Sequence, residues 1–173
     1  MLPAAFPGRT GLVFVAGAPY AGASMLTSRC PATLLPEENT VTEAIDRALA
    51  EIKFDGEGLV PAIAQQHDTG EILMVAWMDR AAVRVTLEEG RVCYWSRSRR
   101  ALWRKGETSG QTQHLREMRL DCDGDTILLL VEQEGVACHT GRRSCFFRAW
   151  RDGGWATIAE PEIAPEQLYP NPD

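Results

Sequence analysis

Leu59-Val60-Pro61-Ala62-Ile63-Ala64-Gln65-Gln66-His67-Asp68-Thr69-Gly70-Glu71-Ile72-Leu73-Met74-Val75-Ala76-Trp77 decides the fold class. Apolar runs at 59–65 and 72–77 flank Asp68-Thr69-Gly70, which predicts two strands joined by a hairpin turn. So short a connection favours antiparallel pairing, because a parallel crossover needs a dozen residues or more. Working outward, Asp79 can cap a helix over residues 80–89, with Gly90 as its stop. Upstream, Thr40-Val41-Thr42-Glu43 forms a capping box. Val41, Ala44, Ile45, Ala48, Leu49 and Ile52 then recur at helical spacing. Downstream, strands are expected at 92–96, 113–120, 126–133 and 145–150, and a Gly/Ser/Thr loop at 106–110. The expectation is an α+β fold of mostly antiparallel strands with two or three helices.

The chain has 173 residues, 45% apolar and 24% charged, and a net charge of -6. That is the composition of an ordinary globular domain. The negative balance argues against broad nucleic-acid binding while leaving room for a local basic pocket. No run is long and apolar enough to cross a bilayer as a helix. Residues 1–38 are expected to be a disordered leader, since Pro3, Pro7, Gly8, Gly11, Gly17, Pro19 and Gly22 interrupt any periodicity. The apolar run 12–18 followed by Ala21-Gly22-Ala23 also has the form of a secretory signal, and Met25 is an alternative start. Residues 39–159 form the expected catalytic domain, and 160–173 a proline-bearing tail. Five cysteines, an odd number, fit reduced thiols or metal ligands better than a complete disulfide framework. Free thiols in turn suit a reducing, cytoplasmic setting.

Chemistry concentrates between Asp121 and Cys145. In an extended Asp121-Cys122-Asp123-Gly124-Asp125, the three carboxylates would share one face and repel each other unless a hard cation such as Mg²⁺ sat among them. An acidic surface turn is the plainer alternative. A calcium loop is not, because Thr126 stands where such a loop needs glycine. Cys122, Cys138 and Cys145 are separated by fifteen and six residues. Three thiolates suit zinc and leave a fourth position for water, as in catalytic zinc sites. His139 is placed to move a proton, or to close the site as a fourth ligand. Buried, unreactive thiols remain the simple alternative for Cys138 and Cys145. Cys93 reads as core, and Cys30 lies in the leader.

Arg97, Arg99, Arg100, Arg104 and Lys105 crowd one stretch. Guanidinium groups bind phosphate oxygens bidentately, and the Gly-flanked Thr108-Ser109 backbone can cradle a phosphate. Trp95 or Trp103 could stack on a base. Alone, this would be a solvated basic loop; next to two metal sites it becomes an anion site.

Several motifs, in order, resemble the phosphoribosyl-AMP cyclohydrolase family of histidine biosynthesis. They are Gly58-Leu59-Val60-Pro61-Ala62-Ile63, Leu73-Met74-Val75-Ala76-Trp77-Met78, Tyr94-Trp95-Ser96-Arg97-Ser98-Arg99 and Leu102-Trp103-Arg104-Lys105-Gly106-Glu107-Thr108-Ser109-Gly110. The aspartate run, Ala137-Cys138-His139-Thr140-Gly141 and Ser144-Cys145-Phe146 follow. The resemblance implies an interdigitated homodimer with zinc at the subunit interface, held by Cys122 of one copy and Cys138 and Cys145 of the other. It implies Mg²⁺ at Asp121, Asp123 and Asp125. The implied substrate is N1-(5-phosphoribosyl)-AMP, whose adenine ring would open at N1–C6 by attack of zinc-activated water, with His139 moving the proton. Charge and position then suggest that Arg97, Arg99, Trp103, Lys105, Glu107, Thr108 and Ser109 hold the phosphoribosyl ends. One departure stands out: Gln66 occupies a position where the family commonly has Asp, with Asp68 two residues on. The residues after Trp150 are too few for the fused pyrophosphohydrolase domain of some relatives, so a single activity is expected.

Two other classes compete. A non-catalytic zinc-stabilised nucleotide- or RNA-binding module would use 97–105 with Trp95 and Trp103 as its face. A zinc deaminase would need H-x-E and P-C-x-x-C, and neither occurs.

Overall fold

The computed structural model describes residues 38–169. Expectations about the leader, including Cys30, fall outside these residues. The element order is α1 (Glu38–Glu51), β1 (Leu59–Gln66), β2 (Ile72–Asp79), α2 (Arg80–Glu89), β3 (Cys93–Ser96), β4 (Ala101–Arg104), β5 (Gln113–Leu120), β6 (Ile127–Gln133), β7 (Arg148–Arg151), β8 (Gly154–Thr157) and α3 (Pro165–Leu168). The architecture is α+β with three helices and mostly antiparallel strands, as expected.

Six strands form one sheet in the order β4-β3-β2-β1-β6-β5. β1 and β2 are the expected hairpin, Leu59 opposite Asp79 and Ala62 opposite Ala76. At the centre, however, β1 runs parallel to β6, Ala62 opposite Ile127 and Gln66 opposite Val131. Hairpin lengths report only on strands adjacent in sequence, so this long-range pair was out of their reach. β4, which had been read only as part of the anion-binding stretch, pairs with β3. The strand expected at 145–150 begins at Arg148 and pairs with β8 in a separate hairpin. Its first residues go elsewhere: Cys145 N–H donates to Leu73 O (2.8 Å), and the Ser144 hydroxyl donates to Ile72 O (2.8 Å).

Period-two alternation sets the inner face. Val60, Ala62 and Ala64 of β1 and Ile127, Leu129 and Val131 of β6 are buried. α1 contributes Ile45 and Leu49, and α2 contributes Ala82 and Val83, to the same apolar cluster. Asp79 caps α2 through its carboxylate, which accepts from Ala82 N–H (2.7 Å), and Gly90 ends the helix at φ 66°. Burying each large apolar side chain contributes about 1.5–3 kcal/mol.

The same alternation carries polar side chains inward at the strand ends. Gln66 continues the buried row of β1, and Gln133 that of β6. A buried amide needs partners, and these form a chain. Tyr94 Oη donates to Gln113 Oε1 (2.7 Å), Gln113 Nε2 to Gln133 Oε1 (2.8 Å), and Gln133 backbone N–H to Gln66 Oε1 (3.1 Å). This spine links β3, β5, β6 and β1 directly under the candidate site.

Candidate functional site

The loop after β6 brings two thiols together. Ala137 N–H donates to Arg143 O (3.0 Å) and Cys138 N–H to Arg142 O (3.1 Å), closing a tight turn with Gly141 at φ 78°. The Arg143 guanidinium ties this turn to the spine by donating to Gly135 O (2.6 Å) and Gln66 Oε1 (2.9 Å). Gln66 in turn donates to Asp68 Oδ1 (2.8 Å). The amide at position 66 therefore serves as donor to a carboxylate and acceptor from a guanidinium and a backbone N–H. Gln66 thus has a structural role, and Asp68 places a carboxylate beside it.

Cys138 is buried, with its Sγ 3.0 Å from Thr140 Oγ1. Cys145 keeps an open face to solvent, yet its thiol is crowded. Partial burial first, and then the adjacent Cys138 sulfur within hydrogen-bonding reach, push the Cys145 thiol up to about 12. Lys105, only 5% exposed, lies within electrostatic reach of both sulfurs. Burial pulls its ammonium below the usual lysine range, and the two cysteines oppose that pull. The ammonium sits in the floor under Trp103, 5.9 Å from the ring centroid.

A cleft of about 660 Å³ is lined by Trp77, Trp95, Arg97, Arg99, Trp103 and His139, the neighbour of Cys138 in the chain, among others. The Arg97 guanidinium stacks 4.8 Å over the Trp77 ring. A second cleft, of about 280 Å³, shares Arg99 and Trp103 and adds Gly106, Thr108, Ser109 and Tyr169. Most of the expected binding residues are thus gathered on one side. Glu107 is turned to its own loop, its carboxylate accepting from Arg104 N–H (3.2 Å). Trp77 and Tyr169 are lining residues that sequence reasoning did not assign. Trp77 had a usable signal, because β2 alternation places it beside Val75, whereas Tyr169 lay in the presumed tail.

The aspartates cluster, although not through strand alternation. Residues 122–125 form a turn rather than an extended segment, with Gly124 at φ 81°. Asp121 Oδ1 accepts from Asp125 N–H (2.9 Å) and Thr126 N–H (3.1 Å), and the turn folds the side chains together. Ligand atoms of Asp121, Asp123 and Asp125 lie within 4.8 Å of one another, a hard-donor set that fits Mg²⁺. β6 follows directly where a calcium loop would need a helix.

The sulfurs of Cys138 and Cys145 are donors of the soft kind that zinc favours. Cys122 does not join them within one chain. It stands before the first residue of β6, and Cys138 follows the last. Seven residues of strand span roughly 20 Å. A three-sulfur site therefore needs a second copy of the chain.

A family model described as phosphoribosyl-AMP cyclohydrolase matches residues 74–147. The chain is similar to a protein of Rhodospirillum centenum named phosphoribosyl-AMP cyclohydrolase, 67% identical over 128 residues, covering 74% of this chain and 96% of the relative. A protein of the same name from Paramagnetospirillum magneticum is 63% identical over 128 residues, covering 73% and 97%. One from Granulibacter bethesdensis is 66% identical over 119 residues, covering 68% and 93%.

Proposed function

The chain belongs to the phosphoribosyl-AMP cyclohydrolase family, and on that premise we propose that it hydrolyses the N1–C6 bond of 1-(5-phosphoribosyl)-AMP in histidine biosynthesis. It does so as a homodimer using zinc and magnesium. The observation that carries this reading is the pair of neighbouring thiols, Cys138 and Cys145, together with a cleft that reaches His139 and whose walls offer guanidinium groups and indole faces.

Ribosylation at N1 makes the purine cationic and C6 electrophilic, so the ring needs only an activated water and a proton carrier. Cys138 and Cys145 of one copy with Cys122 of the other would hold zinc, which supplies Lewis acidity and lowers the pKa of water to about 7. Asp121, Asp123 and Asp125 would hold Mg²⁺ near the substrate. His139, exposed at the cleft edge, is free to carry the proton from water to the departing ring nitrogen. Trp103 and Trp95 offer faces for the purine. Arg97 is held by its stack on Trp77, and it and Arg99 fix phosphate oxygens.

The test is turnover of phosphoribosyl-AMP by the zinc-loaded protein, followed by the ultraviolet change on ring opening. Conversion is expected, and Cys138→Ser and Cys145→Ser should each lose both zinc and activity. A zinc-loaded protein that leaves the substrate intact contradicts the activity. A serine variant that keeps its zinc contradicts the ligand assignment.

A further inference from the structure

The segment expected as a tail is tied down at both ends. Near its start, Glu162 and Ile163 N–H groups donate to Gly141 O (2.8 and 3.1 Å), and Arg142 Nε donates to Ala159 O (2.8 Å). A Cβ on Gly141 would collide with the Ile163 carbonyl, so the strap lies directly on the turn that carries Cys138. At its end, α3 buries Leu168, 3% exposed, as an anchor. The next residue, Tyr169, enters the smaller cleft opposite Arg99, Thr108 and Ser109.

Among the described residues, that wall presents a guanidinium, two aliphatic hydroxyls and a phenol, and no carboxylate. Such a donor set selects an anion with several acceptor oxygens, and a phosphate monoester is the anion the proposed substrate carries. Tyrosine suits the place, because its ring packs against apolar surface while its hydroxyl stays available to donate. Arg99 and Trp103 line this cleft and the larger one containing His139, so a molecule spanning both would set its phosphate beside Tyr169 and its base near His139.

We propose that Tyr169 completes a phosphate subsite, its hydroxyl donating to a phosphate oxygen of the substrate, and that the 159–169 strap holds it there. This rests on the cyclohydrolase reading above. Tyr169 is a binding residue in this account, remote from the scissile bond, so its loss acts on KM rather than on chemistry.

The experiment compares wild type, Tyr169→Phe and Tyr169→Ala for KM and kcat with phosphoribosyl-AMP, for zinc content, for melting temperature, and for affinity toward AMP and ribose 5-phosphate. Tyr169→Phe should raise KM about tenfold, the size of one hydrogen bond to a charged group, with kcat, zinc and melting temperature nearly unchanged. It should also weaken binding of one of the two half-substrates. An unchanged KM in Tyr169→Ala overturns the proposal, and so does lost zinc or a lowered melting temperature in Tyr169→Phe, which would make the residue a packing element. If the wild type fails to turn over phosphoribosyl-AMP, the cyclohydrolase reading falls by itself. The subsite is then judged on the half-substrates, and equal affinities in wild type and Tyr169→Phe refute it.

Discussion

Gln113 shows how single residues support this site. Fully buried, it accepts from Tyr94 Oη and donates to Gln133, which reaches Gln66 and thence Arg143. Gln113→Leu keeps the volume but strands a phenol and an amide, so it should cost about 2–3 kcal/mol in urea unfolding. A loss below the error of the measurement would mean that the spine bears no load. Cys145 gives a second outcome. Its folded value is raised from 9.0 to about 12, so in metal-stripped protein the native state holds its proton more tightly than the unfolded chain. The resulting stabilisation is complete below the ordinary thiol value and is lost as pH rises towards the folded one. Iodoacetamide should therefore label Cys145 slowly at neutral pH despite its open face, and faster as pH climbs. Rapid labelling at pH 7 would contradict the crowding by Cys138.

At the scale of elements, the loop between β4 and β5 is tightly constrained. Gly106 sits at φ 79°, and a Cβ there would lie 2.6 Å from the Gln111 carbonyl carbon. Backbone cannot yield as a side-chain tip can, so Gly106→Ala should cost about 1–3 kcal/mol in strain and raise KM by shifting Thr108 and Ser109. Calorimetry and steady-state kinetics together check this, and a variant with native melting and native KM would contradict it. Elements with local signals were legible in the sequence. The β1–β2 hairpin follows from its turn, α2 from Asp79 and Gly90, β5 from its alternation and β6 from its apolar run. What escaped was long-range or context-bound. The parallel β1–β6 pair shows only as continuous apolar runs in both strands, which do not name the partner or its direction. β4 is short and cationic, so its charge masked its pairing with β3. β8 is the exception, since it pairs with β7 across a local Asp152-Gly153 turn that was not read, whereas the strap leading to α3 rests on Gly141. The candidate site followed the same rule. Cys138 and Cys145 were legible as ligand types, and the acidic triad as a cluster, though a turn and not an extended strand gathers it. The burial of Lys105 and the arrival of Tyr169 depend on packing that spacing does not record.

For the whole molecule, the decisive feature is the length of β6 between Cys122 and Cys138. One chain presents two sulfurs at one end of the sheet and one at the other, so the proposed zinc centre exists only between copies. Large apolar side chains on the surface, among them Val75, Phe146, Trp150 and Trp155, are consistent with an assembly that covers them. Sharing the site between copies has a direct consequence. Cys122→Ser and Cys138→Ser are each expected to be inactive as homodimers. In a mixed dimer, one site collects both lesions and the other collects none. Unfolding the two variants together, refolding them at equal amounts with zinc, and measuring turnover of phosphoribosyl-AMP is the most direct test. Random pairing should restore about a quarter of wild-type activity, because half the dimers are mixed and each has one intact site. Activity no greater than that of the separate variants would contradict a zinc centre shared between copies.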